Sequence, residues 1–133
     1  MATNSRHGGW LTLVPLLLGA IASIGAQHVD TPAPRVVRVT AERFAFTPSE
    51  IKAPTGTVIE FALTSEDTAH GFRILGHNVD VVIPKRGRGT ATVRFTPPGP
   101  GEYVFECSRM CGAGHSFMRG VIRIRAANKE GSR

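Results

Sequence analysis

The stretch Cys107-Ser-Arg-Met-Cys111-Gly-Ala-Gly-His115-Ser-Phe-Met118 holds both cysteines of the chain, one of its five histidines and two of its three methionines. Thiolate, imidazole and thioether are the soft and borderline ligands that select copper over magnesium, calcium or manganese. Packing a β-rich core gives no reason to gather them in one Gly-rich segment, so the chemistry implied is that of a copper site. Upstream, Asp67-Thr-Ala-His70-Gly-Phe72 reads as a loop, and His70 can supply a further imidazole.

Four arrangements compete for these residues. A Cys107–Cys111 disulfide explains two residues and leaves His70, His115 and Met118 without a role. A zinc site of two Cys and two His fits by composition, but a thioether adds nothing to zinc. A mononuclear blue-copper site needs two His, one Cys and a weak Met; Cys111, His115, Met118 and His70 provide them and leave Cys107 surplus. A binuclear site uses every candidate: two bridging thiolates, one His on each copper, and Met118 and a backbone carbonyl in the remaining positions. That economy favours the binuclear arrangement.

Such a loop needs a rigid frame. From Arg35 onward, short apolar runs alternate with Pro and Gly, the pattern of an all-β sandwich of about seven or eight strands. Ile59, Phe61 and Leu63 share one face of a strand, as do Ala91, Val93 and Phe95, Tyr103, Phe105 and Cys107, and Ile122 and Ile124. No segment after the first 26 residues has helical periodicity. Residues 108–119 then form the loop between the last two strands, at one end of the sandwich.

The chain has 133 residues, enough for about one domain, and a formal charge of +6. Arg and Lys are scattered singly except in Lys85-Arg86-Gly-Arg88, which reads as a solvated cationic surface and not as a nucleic-acid interface. Residues 1–26, with Arg6 ahead of an apolar run from Trp10 to Ala26, are expected to be a signal peptide or a membrane anchor. Residues 27–34 read as a linker, 35–126 as the domain and 127–133 as a polar tail. The domain is therefore expected in the periplasm or on the outer face of the cytoplasmic membrane. His28 would bind Cu(II) beside a free terminal amine if cleavage fell just before Ala26; otherwise it is a solvated side chain.

Cys107-x3-Cys111-Gly-x-x-His115-x-x-Met118, with Asp67-x-x-His70 upstream, closely resembles the CuA domain of cytochrome c oxidase subunit II; nitrous oxide reductase carries the same motif. The likeness spans about residues 36–126 and includes Phe44-x-Phe46-x-Pro48 and Gly101-x-Tyr103. It implies a cupredoxin-like Greek-key fold and a cofactor of two copper ions, with Cys107 and Cys111 bridging, His70 and His115 terminal and Met118 weak. It also implies a backbone carbonyl ligand from Arg109, where the family often has Glu, and Asp67 as a residue steadying His70. By the same resemblance the chain relays electrons from cytochrome c or another donor to a haem–copper oxidase subunit I or similar acceptor, with no catalytic chemistry of its own. Two features depart from the family. The sole Trp is Trp10, so the tryptophan used for electron intake in many such subunits is absent. The acidic face that would meet a cationic cytochrome is also missing, which leaves an acidic or neutral donor, or an apolar docking patch built by Ala113, Phe117 and Met118.

Overall fold

A computed structural model describes residues 33–127 together with Met1. The leader with Trp10, His28, nearly all of the linker and nearly all of the tail lie outside the described residues. The described chain forms nine strands: β1 (Arg35–Glu42), β2 (Ala45–Thr47), β3 (Glu50–Pro54), β4 (Ile59–Ser65), β5 (His70–Ile74), β6 (Asp80–Ile83), β7 (Ala91–Phe95), β8 (Gly101–Glu106) and β9 (Arg119–Arg125). One short 3₁₀ turn, His115–Phe117, interrupts the loop between β8 and β9. The count exceeds the expected seven or eight because the turn at Pro48–Ser49 separates a three-residue β2 from β3.

The strands make two sheets, β2-β1-β4-β7 and β3-β9-β8-β5-β6. β1 runs parallel to β4 and β3 parallel to β9, while the remaining pairs are antiparallel. The period-two pattern decides which side chains meet between the sheets. β4 alternates strictly, and its Ile59, Phe61 and Leu63 are all fully buried. Four phenylalanines form the middle of the core: the Phe72 ring centroid lies 5.0 Å from Phe61, 5.1 Å from Phe105 and 5.9 Å from Phe46. Edge and tilted contacts of this kind add to the area each ring buries.

The β5–β8 pairing positions the site. Arg73 pairs with Glu106 in antiparallel register, so β5 runs back from there towards the segment that leaves β8. This brings His70, at the start of β5, alongside Cys107, just past the end of β8. His70 is not in a loop, as expected from sequence; it is the first residue of β5, paired with Ile83 and fully buried.

Candidate metal centre

Cys107 and Cys111 are free thiols, 3% and 6% exposed, with their Sγ atoms 3.8 Å apart. The disulfide is therefore ruled out in this structure. His70 Nδ1 lies 3.9 Å from Cys107 Sγ, and His115 Nδ1 lies 3.8 Å from Cys111 Sγ. Met118 Sδ is 3.9 Å from Cys111 Sγ, and the Arg109 carbonyl accepts from the Cys107 thiol at 3.1 Å. His70, Cys107 and Cys111 all bring a ligand atom within 4.8 Å of one another. Metal–sulfur and metal–nitrogen bonds of about 2.0–2.3 Å span such separations without moving the side chains far. The donor set of two thiols, two imidazoles and a thioether thus suits copper in chemistry and in spacing.

The residues around the thiols fix this arrangement. His70 Nε2 and Asp67 Oδ1 are 2.7 Å apart, so Nε2–H donates to the carboxylate and the Nδ1 lone pair is left facing Cys107. Asp67 Oδ2 accepts from the Arg43 backbone N–H at 3.1 Å, and Ser65 Oγ accepts from the Asp67 N–H at the same distance. Burial acts to raise the Asp67 pKa, but the hydrogen bonds from His70 and from the Arg43 and Thr68 backbone outweigh it and hold the carboxyl below its ordinary value. Burial, with the neighbouring Cys107, pushes the Cys111 thiol up to about 11. Without a cation the pair would hold its protons, since two thiolates side by side in an apolar setting repel each other.

Two structural features here had no motif to reveal them. The Gly71 N–H donates to Cys107 Sγ at 3.4 Å, and a Cβ at residue 71 would lie 2.2 Å from Ser108 Oγ and 2.7 Å from the Arg109 nitrogen. Only glycine allows β5 and the loop to approach this closely. Similarly, the Phe44 ring lies over the loop glycines: a Cβ on Gly112 or Gly114 would meet it at 2.9 Å or 2.3 Å. Gly112 also adopts φ +143°, a region L-residues rarely visit. Arg43 Nε donates to the Cys111 carbonyl at 2.8 Å and ties the same loop to the β1–β2 turn.

Glu106, expected on the outer face of β8, is buried. Arg73 Nε donates to it at 2.9 Å and Arg119 lies 3.3 Å away. These residues line a pocket of about 210 Å³ with Cys107, His115 and Ser116, which opens beside the thiols. The expected apolar patch needs one correction. Met118 faces inward and is fully buried, whereas Ala113 is exposed and Phe117 is 83% exposed. Met110, which the sequence reading did not place in the patch, is 76% exposed beside Cys111. His77 joins no ligand group; it packs in the β5–β6 turn against Phe95 and Tyr103, with ring centroids 5.0 and 5.3 Å away.

A two-sheet sandwich with a Cys/His/Met loop at one end defines a copper-protein fold, and the chain belongs to the cupredoxin-like domain family, whose model matches residues 14–123. Within that family it belongs with cytochrome c oxidase subunit II: it is 40% identical over 103 residues to cytochrome c oxidase subunit 2 of Thermus thermophilus, covering 75% of this chain and 74% of the relative. Against the same subunit from a second strain of that species the identity is equal, but the chain spans only 60% of the relative's length. Nitrous-oxide reductase of Cupriavidus necator is 33% identical over 94 residues, 68% of this chain and 14% of that one. The periplasmic domain of subunit II of cytochrome oxidase from Bradyrhizobium japonicum shares the fold, with a TM-score of 0.64 at 20% identity over 72% of this chain and 88% of that one.

Proposed function

We propose that the chain holds a binuclear copper centre and relays single electrons as the copper-binding domain of a subunit II. The observation that carries this reading is the doubled donor set. Each of the two buried thiols has its own imidazole nitrogen, at 3.9 Å for Cys107 and 3.8 Å for Cys111. Each also has one weaker donor, the Arg109 carbonyl at 3.1 Å or Met118 Sδ at 3.9 Å. A mononuclear site would use Cys111 and leave Cys107 idle, although Cys107 is as buried and as well surrounded as its partner.

On this reading Cys107 and Cys111 bridge two copper ions, His70 and His115 bind one ion each, and Met118 and the Arg109 carbonyl complete the set. Bound copper supplies one-electron redox chemistry. The chain's part is to keep the ligands in nearly the same place whichever charge state is present, because small rearrangement lowers the barrier to electron transfer. Asp67 orients the His70 ring, the Gly71 N–H stabilises negative charge on the Cys107 sulfur, and the packed loop excludes water. The enclosed thiols and fully buried Met118 argue against an exchangeable copper chaperone or sensor.

The relatives' names support a role beside a cytochrome c oxidase, with cytochrome c or another carrier as donor and a haem–copper subunit I as acceptor. The same reading places residues 35–126 outside the cytoplasmic membrane, in the periplasm or tethered to the membrane's outer face. Residues 1–26 would be the signal or anchor, 27–34 the linker and 127–133 a polar tail. The test is to load the purified chain with copper, count metal per chain and record its electron spin resonance. Two coppers per chain, with hyperfine coupling to two equivalent nuclei, are expected. A single-copper spectrum at saturating metal would assign the mononuclear alternative and overturn this function.

A further inference from the structure

We infer that the copper end is a docking face for a redox protein whose own docking surface is acidic, an inference that rests on the electron-relay function proposed above. The Lys85-Arg86-Gly87-Arg88 segment is not a scattered surface feature. It leaves β6 directly after Ile83, the residue paired with His70, and the Arg86 N–H donates to the Asp67 carbonyl at 3.1 Å. The basic loop therefore lies against the loop that orients His70. Arg43, Arg73, Arg109 and Arg119 ring the same end, all exposed.

The carboxylates at this end are mostly engaged already. Glu66 pairs with Arg86 at 3.6 Å, Asp67 binds His70 and the Arg43 N–H, Asp80 accepts from Ser108 Oγ at 2.6 Å, and Glu106 sits between Arg73 and Arg119. Glu42 is the further exposed acid near the end of β1. Among the described residues, Lys85, Arg88 and Arg109 have no carboxylate within salt-bridge distance. Inside this ring the loop presents Met110 and Phe117, and the partly exposed Phe44 ring lies across its glycines. An apolar centre with unpaired cations at its rim suits a partner with the opposite rim, for which steering raises the encounter rate and like charge suppresses a basic partner.

The test uses the copper-loaded chain and two reduced c-type cytochromes as probes, one with an acidic haem-edge surface and one with a basic one, in stopped flow across a salt series. Faster reduction by the acidic cytochrome, slowing as salt rises, is expected. Lys85→Glu combined with Arg88→Glu changes only exposed side chains on a turn that donates no ligand. It should slow the acidic cytochrome by about tenfold and flatten its salt dependence. Arg125→Glu, at the far end of β9 and roughly 20 Å from Arg119 at about 3.3 Å per residue, should leave both unchanged. Faster reaction with the basic cytochrome, or indifference of the acidic one to the double substitution, overturns the docking proposal while the copper spectrum still stands. A chain that takes up no copper overturns the relay function and this inference with it.

Discussion

Single residues decide whether the site holds one metal or two. Cys107 lies within reach of His70, Arg109 and Cys111, so removing its sulfur breaks the doubled set while leaving Cys111, His115 and Met118 in place. Cys107→Ser should lower copper content from two ions per chain to at most one and replace the two-copper hyperfine pattern with that of a single ion. Unchanged stoichiometry would remove Cys107 from the bridge. Asp67 acts through His70. Its carboxylate fixes which imidazole nitrogen faces the thiols, so Asp67→Ala should weaken copper retention about 10- to 100-fold in a chelator competition, while Asp67→Asn, whose amide oxygen can still accept from Nε2–H, should lose less. Equal retention in wild type and Asp67→Ala would show that the ring is held by packing alone.

At the scale of elements, the loop is only as well placed as the two strands that bracket it. β8 and β9 pair from Gly101–Ile124 to Glu106–Arg119, and the Cys107 N–H then donates to the Met118 carbonyl at 3.0 Å, closing the loop. This pairing depends on Gly120, which lies opposite Phe105. A Cβ there would come 2.1 Å from the Phe105 ring and 2.6 Å from the Ser49 carbonyl, a backbone atom that has no rotamer in which to escape. Gly120→Ala should therefore destabilise the fold by about 1–3 kcal/mol, as overpacking of a filled core does. A urea titration reads this as a lower midpoint at an unchanged slope. An unchanged midpoint would mean that β9 shifts without cost.

For the whole molecule, the question is whether the frame exists before the metal. The core is built mainly from phenylalanine, isoleucine and valine. Among the described residues no buried side-chain nitrogen or oxygen lacks a hydrogen-bond partner. A metal-free chain then leaves no orphaned polar group to unfold it, unlike small domains that fold only around a metal. Copper binding the native state alone still adds stability by mass action. Stripping copper with a chelator should preserve the β-sheet circular dichroism and lower the melting temperature, with recovery on reloading. Loss of the sheet signal on stripping would mean that the metal is part of the core.

What could be read in the sequence by itself was whatever is local in the chain. Alternation in β4, β7, β8 and β9 marked the inward faces because the strand period is two. The clustered Cys, His and Met residues marked copper because few other chemistries need that set of donors. Tertiary structure decided what depends on contacts between distant segments. His70 moved from a loop to the start of β5 because it pairs with Ile83, and Met118 turned from the surface into the core. Gly71 became essential because β5 comes within contact distance of Ser108 and Arg109, a proximity that no spacing rule contains. Glu106 sits on the face that alternation assigned to solvent, yet it is buried because Arg73 on β5 and Arg119 on β9 close over it. The basic segment after Ile83 meant little in one dimension. Its backbone contact with Asp67 puts its charge at the copper end.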